Sequence, residues 1–514
     1  MNENNEKFNC LANHDPIPRP YWLTSTDQKN HPPLEKDITV DVAIVGGGMV
    51  GITSAWLLKQ AGLSVAIVEA DHILQGTTGH TTAKITSQHG LIYDKITNKM
   101  GNELASQYAQ ANESAIHFIA DLIKEKEISC DFSWQPAYVY TQSPVYVQKL
   151  IDETKAASSL GLMASYVESL PLPFDIQGAM KFEDQAQFHP RKYLLSLAKD
   201  IVGDNSYIFE QTRAVDIQEG SLCQVITHNN NKKVTASHVI IASHYPFYDK
   251  PGLYFARIYQ ERSYILGAKI KGDFPKGMFI NAEQPTRSLR TQPMEDGELV
   301  LIGGENHKSG HGQSTLKHYE ALCQFAHKHF DVEDILFRWS TQDCVTMDNI
   351  PYIGHLTADR PNVYVATGFG KWGMTNSTVS AIMLRDLIVK GENPWTSVYY
   401  PSRIRPQASA TEFIVQNVDV ATRFISGKLI PNSKDMNLQP GQGKVLQIKG
   451  QRVGAYCDEN GEIHVVDTTC THLGCELTWN DAEKSWDCPC HGSRFSYTGD
   501  IIEGPALKPL QKLQ

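Results

Sequence analysis

The sequence is poor in three features that mark other protein classes: long apolar runs, excess positive charge and closely spaced cysteines throughout the chain. Its longest apolar runs are far shorter than the roughly 20 residues of a membrane-spanning helix, so we expect no membrane span. A formal net charge of -10 over 514 residues argues against a nucleic-acid-binding surface. Ten cysteines are too few for the disulfide framework of a small secreted protein.

The N-terminal stretch MNENNEKFNCLANHDPIPRP also lacks an apolar signal segment and paired arginines. This absence predicts a cytoplasmic protein. The overall composition, 41% hydrophobic and 20% charged, is that of an ordinary globular protein. The length predicts two or three domains, because a single hydrophobic core does not extend over a chain of this size.

What the sequence does contain is a concentration of cysteine and histidine near its end. These residues stand in two short segments, Cys470-Thr471-His472-Leu473-Gly474-Cys475 and Cys488-Pro489-Cys490-His491-Gly492-Ser493. Thiolate and imidazole groups are the side chains that hold iron and zinc, so two such segments indicate a metal site. A four-ligand zinc ribbon accounts for this pattern less well, because it leaves two cysteines and the second Gly-Ser unexplained.

The two segments resemble the cluster-binding loops of Rieske iron–sulfur domains, where two Cys bind one iron of a [2Fe–2S] cluster and two His bind the other. Carried over to this chain, the resemblance implies the ligands Cys470, Cys488, His472 and His491. It also implies a disulfide between the two remaining cysteines, Cys475 and Cys490, as in respiratory-type Rieske proteins. Ser493 matches the serine that hydrogen-bonds a cluster sulfur there, whereas Phe495 replaces a tyrosine.

Near the other end, the sequence contains a complete β-turn-α-β unit. The apolar run Asp41 to Val45 predicts a strand, Ile52 to Ala61 a helix, and Leu63 to Val68 a second strand that Glu69 follows. Between the first strand and the helix stand the glycines of a Gly-x-Gly-x-x-Gly fingerprint, Gly46, Gly48 and Gly51. In this context the glycines predict a dinucleotide site, with the pyrophosphate at the helix N-terminus and the acidic residue on a ribose.

Later segments in the same order resemble the D-amino-acid oxidase, glycine oxidase and dimethylglycine dehydrogenase superfamily of FAD enzymes. The matching segments are Gly76 to Ala83, Gln211 to Ile217, Asn362 to Gly370 and Lys371 to Asn376. The resemblance implies that FAD is bound by Thr77, Thr78 and His80 in the first segment, by the Val215 backbone in the second, and by Gly368, Gly373 and Met374 in the last two. His80 falls where some relatives carry a covalently attached flavin, and both a covalent link and a simple hydrogen bond remain open.

Together these resemblances predict an α/β Rossmann-like FAD-binding domain with an α+β substrate domain, followed by a small all-β Rieske domain. We expect an N-terminal extension at 1–36, the FAD-dependent part at 37–400, a linker at 401–430 and the Rieske domain at 431–514. Arg287 and Arg290 stand where relatives place a group that binds the substrate carboxylate.

The function implied is an FAD-dependent oxidoreductase that oxidises a small organic substrate, such as an amine or amino acid. Electrons would pass from FAD to the [2Fe–2S] cluster and on to an unknown acceptor. A reductase fed by NAD(P)H is one alternative, but we find no second dinucleotide fingerprint. A Rieske oxygenase requires two His and a carboxylate on a separate iron, and no convincing triad is present. A non-enzymatic redox sensor stays open.

Overall fold

The computed structural model describes residues 18–228, 231–312, 314–403, 405–429, 437–448 and 450–513. The first 17 residues of the expected N-terminal extension, and residues 430–436 around the expected start of the Rieske domain, lie outside the described residues.

The helices of the described residues are α1 Tyr21–Thr24, α2 Met49–Gln60, α3 Tyr93–Met100, α4 Asn102–Glu125, α5 Pro144–Ser159, α6 Pro190–Ile201, α7 Leu316–His329, α8 Gly373–Val389, α9 Thr396–Tyr399 and α10 Pro406–Leu429. Two short 3-10 turns lie at Thr77–Gly79 and Tyr254–Ala256.

The first strands are β1 Ile38–Val45, β2 Val65–Val68, β3 Lys84–Ile85, β4 Ser133–Thr141, β5 Ala164–Val167, β6 Gly178–Gln187, β7 Tyr207–Phe209, β8 Ala214–Gln218, β9 Cys223–Thr227 and β10 Lys233–Ile241. The middle strands are β11 Ile258–Ile270, β12 Met278–Asn281, β13 Arg287–Met294, β14 Gly297–Lys308, β15 Val332–Thr346, β16 Tyr352–His355 and β17 Val363–Thr367. The last strands are β18 Gly443–Ile448, β19 Gln451–Cys457, β20 Ile463–Asp467, β21 Thr478–Asn480, β22 Ser485–Asp487, β23 Arg494–Ser496 and β24 Ile501–Glu503.

The first sheet has the order β16-β17-β10-β1-β2-β7, with the β8–β9 hairpin attached to β10. From β17 to β7 its strands run parallel. Buried apolar residues fill consecutive positions of β1 and β2, as expected for strands covered on both faces. Helices α2 and α8 pack together beside this sheet. The predicted β-turn-α-β unit is therefore confirmed as β1, α2 and β2.

The second sheet has the order β15-β11-β14-β13-β12-β4-β6-β3, with β5 attached to β6. Its strands pair antiparallel except where β12 runs parallel to β4. Helix α7 packs on this sheet through contacts with β11, β14 and β15. The two sheets face a common cavity, because residues of both line it.

The C-terminal part consists of two small antiparallel sheets, β18-β19-β20 and β21-β22-β23-β24. Trp486 and Phe495 form its fully buried core. The first Cys/His segment lies between β20 and β21, and the second lies between β22 and β23. The predicted fold class, an FAD-type α/β fold followed by an all-β domain, is confirmed.

Helix α10 joins the two parts and contacts both. Val420 packs on the C-terminal core, and the Gly427 carbonyl accepts a hydrogen bond from Arg452 at 2.9 Å. On the other side, the Asn417 amide donates to the Ala256 carbonyl at 3.0 Å. No helix of the described residues combines the length and the apolar character that a membrane crossing requires.

Candidate functional site

The glycine turn after β1 has the geometry that a bound pyrophosphate requires. Gly46 has φ +110°, and a Cβ there would lie 2.5 Å from the Ala242 carbonyl oxygen. A Cβ at Gly51 would lie 1.9 Å from the Gly46 oxygen, so only glycine allows α2 to pack this closely on the strand end. Gly48 caps α2 and leaves the backbone open on the cavity side.

Glu69 follows β2 at the same edge of the sheet. Its carboxylate accepts hydrogen bonds from the N–H groups of Gly47 at 2.7 Å and Asp71 at 3.0 Å. Burial raises the pKa of Glu69, and these two N–H groups oppose the shift. A carboxylate has about four lone-pair positions, so Glu69 keeps acceptor capacity for ribose hydroxyls.

A cavity of about 1070 Å³ extends from this turn to the face of the second sheet. Its volume is at the upper end of the range for small-molecule sites, roughly 300–1,000 Å³. The sequence-predicted flavin residues in its lining are Gly46, Gly48, Glu69, Thr77, Thr78, His80, Gly373 and Met374. The cavity is therefore large enough for a dinucleotide together with a small substrate.

Thr78 and His80 connect the flavin segment to the glycine turn. Thr78 Oγ1 accepts from the Met49 N–H at the start of α2 at 3.1 Å. His80 Nδ1 donates to the Gly76 carbonyl at 2.9 Å, so Nε2 carries the lone pair. Burial lowers the pKa of His80, with opposition from the Gly76 carbonyl. A neutral His80 with its lone pair on Nε2 is compatible with either a hydrogen bond or a covalent link.

Three of the residues predicted to bind flavin, Gly51, Val215 and Gly368, do not line the cavity. Their positions in the fold explain their absence from its lining. Gly51 packs α2 on β1, and Gly368 has φ +79° with its would-be Cβ 2.3 Å from Thr346. Val215 lies at a bulge in the β8–β9 ladder, where Ala214 and Asp216 on either side of it have partners in β9 and Val215 has none. A bulge leaves the backbone groups of the extra residue outside the ladder. The Val215 backbone is therefore free of strand pairing, as an adenine contact requires.

Lys371, at the start of the last flavin segment, belongs to the site although sequence reasoning gave it no role. Its ammonium pairs with Asp343 at 2.8 Å and Glu261 at 3.5 Å. Burial alone would lower the pKa of Lys371, but these two carboxylates raise it. All three residues line the cavity, and this cluster of one ammonium and two carboxylates fixes the segment that leads into the N-terminus of α8.

Lys84 is the second cavity residue that sequence reasoning did not identify. Its ammonium donates to the Ser288 hydroxyl and to Thr82 Oγ1, and among the described residues no carboxylate pairs with it. Burial, together with the nearby Arg290 guanidinium, lowers the pKa of Lys84 to about 7. A sequence signal existed, because Lys84 is the one Lys, Arg, Asp or Glu between Asp71 and Asp94.

The two arginines expected to hold a substrate carboxylate have other partners. Arg287 forms an ion pair with Glu305 at 2.6 Å. Arg290 is fully buried, and its guanidinium donates to the carbonyls of Thr82 and Ala83 at 3.1 and 2.8 Å. Neither side chain lines the cavity.

The four predicted cluster ligands lie together in the two loops of the C-terminal part. Cys470 and Cys488 are buried free thiols that hydrogen-bond to each other. The rings of His472 and His491 lie 5.1 Å apart. The Nδ1 atoms of both rings are buried and have no hydrogen-bond partner among the described residues. Two thiols and two unpartnered imidazole nitrogens are the donor set of a Rieske cluster, so the residues present fit the group.

A disulfide joins Cys475 to Cys490, as the resemblance implied. The Cys488 sulfur lies within 4.8 Å of both disulfide sulfurs, so the bridge holds the two loops together directly behind a ligand. Ser493 Oγ accepts from the Ala506 N–H at 3.1 Å and also hydrogen-bonds Cys470.

The histidine end of the cluster site faces the FAD-binding part of the chain. His472 Nε2 donates to the Asp249 carboxylate at 3.1 Å, which leaves the lone pair on Nδ1. The Gln342 amide donates to the Gly492 carbonyl at 2.8 Å. A Cβ at Gly492 would lie 2.4 Å from Gln260, so the glycine permits this close approach of the second loop.

The segment after β23 connects the cluster site to the cavity. Residues Ile501 to Leu507 line the cavity wall, and Ala506 within this segment donates to Ser493. Glu503 adds an ion pair at 3.6 Å to the fully buried Arg262 of β11. The same short stretch therefore contacts both candidate redox sites.

Comparisons with known proteins agree with this geometry. Residues 41–387 match the family model described as FAD dependent oxidoreductase, and residues 428–514 match the Rieske [2Fe-2S] domain model. The structure is similar to glycine oxidase from Geobacillus kaustophilus, with a TM-score of 0.60 and 18% identity, over 71% of this chain and 99% of that one. L-proline dehydrogenase from P. horikoshii gives a TM-score of 0.58 and 18% identity, over 72% and 98%.

One relative covers both parts. The chain is 44% identical over 497 residues to the Bacillus subtilis protein YhfW, which its name describes as a Rieske 2Fe-2S iron-sulfur protein. The match spans 96% of this chain and 97% of that protein. The chain therefore belongs to the FAD-dependent oxidoreductase family, binds FAD, and carries a C-terminal Rieske [2Fe–2S] domain.

Proposed function

We propose that this enzyme oxidises a small amine or amino acid and delivers the electrons through its Rieske cluster to an external acceptor. The observation that carries the proposal is the shared wall: Ile501 to Leu507 line the flavin cavity while Ala506 is hydrogen-bonded to the cluster loop. When bound, FAD would accept a hydride from the substrate and release its two electrons one at a time, and a [2Fe–2S] cluster would carry single electrons.

Lys84 is the residue that we assign to the substrate. Its ammonium lies in the cavity wall with a hydroxyl partner, Ser288, and no carboxylate partner among the described residues. A cation without a counter-ion in a partly buried site favours an anionic ligand group. An amino-acid carboxylate is such a group, and the similar solved structures include a glycine oxidase and an L-amino acid deaminase. We therefore place the carboxylate contact at Lys84 in preference to Arg287 or Arg290.

Two further features of the chain act on the bound flavin. The N-terminus of α8 begins at Gly373 in the cavity lining, where the helix dipole would stabilise negative charge on a reduced flavin ring. The ion pairs of Lys371 with Asp343 and Glu261 fix the segment that leads into this helix. Pro505 and Ala506 cover the cavity on the cluster side and exclude water from the space between the two sites.

The test is an anaerobic reaction of the holoenzyme with amines, N-methyl amino acids and D- and L-amino acids. We expect one class to bleach the flavin absorbance and then to produce the electron paramagnetic resonance signal of a reduced Rieske cluster. A Cys488→Ser variant should still bleach its flavin with the same substrate but should give no cluster signal.

The other functions give different results in the same experiment. Rapid bleaching by NADH or NADPH, with none by the organic panel, indicates the reductase direction and contradicts the proposal. Full cofactor content with no bleaching by any compound indicates a redox sensor. Cluster reduction that does not depend on prior flavin bleaching contradicts the proposed electron route.

A further inference from the structure

Helix α10 exposes an unusual number of large apolar side chains. Six of them, with 37 to 62% of their surface exposed, lie between residues 413 and 425 of the helix: Phe413, Ile414, Val415, Val418, Phe424 and Ile425. Together they present on the order of 500 Å² of apolar surface, within the range of the largest patches on monomers, which are often functional. Single exposed apolar residues are ordinary, whereas this concentration on one helix indicates a contact surface.

The three most exposed of these residues, together with the exposed Ala421 between them, follow the spacing of a helix-pairing seam. Ile414, Val418, Ala421 and Ile425 are separated by four, three and four residues, which is the spacing of the a and d positions of a heptad. At 100° per residue they fall within an arc of about 60°. Val420, which packs on the C-terminal core, lies on the other side of the helix, so the seam faces away from the protein.

The charged side chains that the structure describes in α10 avoid the seam formed by Ile414, Val418, Ala421 and Ile425. Among the side chains described in the helix they are Glu412, Asp419 and Arg423, and each lies more than about 120° around the helix from the seam centre. Asp419 pairs with Lys308 and, at 3.6 Å, with Arg423. An anionic lipid surface is a poor partner, because it binds helices whose apolar face is flanked by Lys and Arg, and the chain has a net charge of -10.

We propose that α10 pairs with the same helix of a second copy of this chain, antiparallel and across a two-fold axis. In this arrangement Ile414 contacts the partner's Ile425, and Val418 contacts the partner's Ala421. Large side chains then meet small ones near the axis, whereas parallel pairing would leave a gap between two alanines. Opposed helix dipoles also favour the antiparallel arrangement.

The apolar area of the patch and the absence of charge on the seam are consistent with a second copy of the chain as the partner. Burying the patch on both copies removes on the order of 1,000 Å² from water, which is the lower limit for a specific interface. Because the seam carries no ionic group, two copies of net charge -10 can meet here without like charges in contact. Since α10 contacts both parts of its own chain, the pairing would also brace the junction between the FAD and Rieske parts.

The experiment measures the mass of the holoenzyme by sedimentation equilibrium at micromolar concentration. We expect twice the chain mass of 57.4 kDa for the wild type and the single chain mass for Val418→Glu, with unchanged flavin and cluster content. Val145→Glu is the matched control, because Val145 is 70% exposed on α5 and its substitution should leave the dimer intact.

Cysteine pairs test the orientation independently. Ile414→Cys combined with Ile425→Cys should form an intermolecular disulfide under mild oxidation, and Ile414→Cys alone should not. A monomeric wild type, a dimeric Val418→Glu variant, or cross-linking by Ile414→Cys alone would each overturn the proposal. So would a monomer that binds phosphatidylglycerol vesicles through this face and loses that binding in Val418→Glu.

Discussion

The contact between Asp249 and His472 leads to a quantitative prediction for Asp249→Asn. The carboxylate accepts from His472 Nε2 at 3.1 Å, and Asp249 is buried. Reduction of the cluster adds one negative charge, which a neighbouring carboxylate disfavours. An asparagine can still accept the hydrogen bond through its carbonyl oxygen but carries no charge. The cluster of the variant should therefore be easier to reduce, with a higher midpoint potential.

The magnitude follows from Coulomb's law. Across one imidazole ring and one metal–nitrogen bond, the Asp249 charge lies roughly 7 Å from an iron held by His472. At an effective dielectric constant of about 20, that separation corresponds to about 2.4 kcal/mol. For a one-electron couple this is about 100 mV. Because both side chains are largely shielded from solvent, salt should reduce the shift only slightly.

The assay is a redox titration of the holoenzyme followed by electron paramagnetic resonance. Asp481→Asn is the control, since Asp481 accepts from Ser314 and Thr315 at 2.7 Å and joins the same two parts of the chain without touching His472. The control should keep the wild-type midpoint. A midpoint that stays unchanged or falls in Asp249→Asn, at full cluster content, refutes the electrostatic reasoning.

Three further variants test other parts of the molecule. Phe495→Tyr should raise the cluster midpoint, because it restores a hydroxyl donor in the fully buried core beside the cluster loops; potentiometry checks this, and a lower midpoint contradicts it. Gly51→Ala should abolish FAD binding and with it the flavin absorbance, because the added Cβ would lie 1.9 Å from the Gly46 oxygen. Gly220→Ala is the control. The nearest atom to its added Cβ is 3.2 Å away, so this variant should keep the flavin absorbance. Lys84→Met should melt at a higher temperature than the wild type at pH 7, and the difference should shrink by pH 10. The reason is that the folded-state pKa of about 7 lies below the ordinary lysine value of 10.5. Between these two values the unfolded wild-type chain binds more protons than the folded one, so the stability of the wild type rises with pH. An unchanged difference across the pH range would contradict this assignment.

Features that depend on neighbouring residues could be predicted from the sequence. The turn from Gly46 to Gly51 and the strands and helix around it form one continuous segment, and the structure has these elements where the pattern indicates them. The resemblance of the two loops to Rieske domains implied the Cys475–Cys490 disulfide, and the structure contains it.

Contacts between distant segments could not be predicted in this way. His472 and Asp249 are 223 residues apart, and nothing in the loop around Asp249 indicates a partner in another domain. The parallel pairing of β12 with β4 is likewise a tertiary contact that alternation of apolar residues does not encode. Arg290 lies on the same strand as the cavity residue Ser288, but packing under the Thr82–Ala83 backbone buries it.

The wall formed by Ile501 to Leu507 has a consequence for how the holoenzyme matures. This stretch lies beyond both cluster loops in the chain and adjoins them through Ser493 and Ala506. The enclosure of the flavin therefore depends on correct folding of the iron–sulfur domain. In a chain whose iron–sulfur domain has not folded, we expect this side of the flavin chamber to be open and a reduced flavin to be accessible to dioxygen.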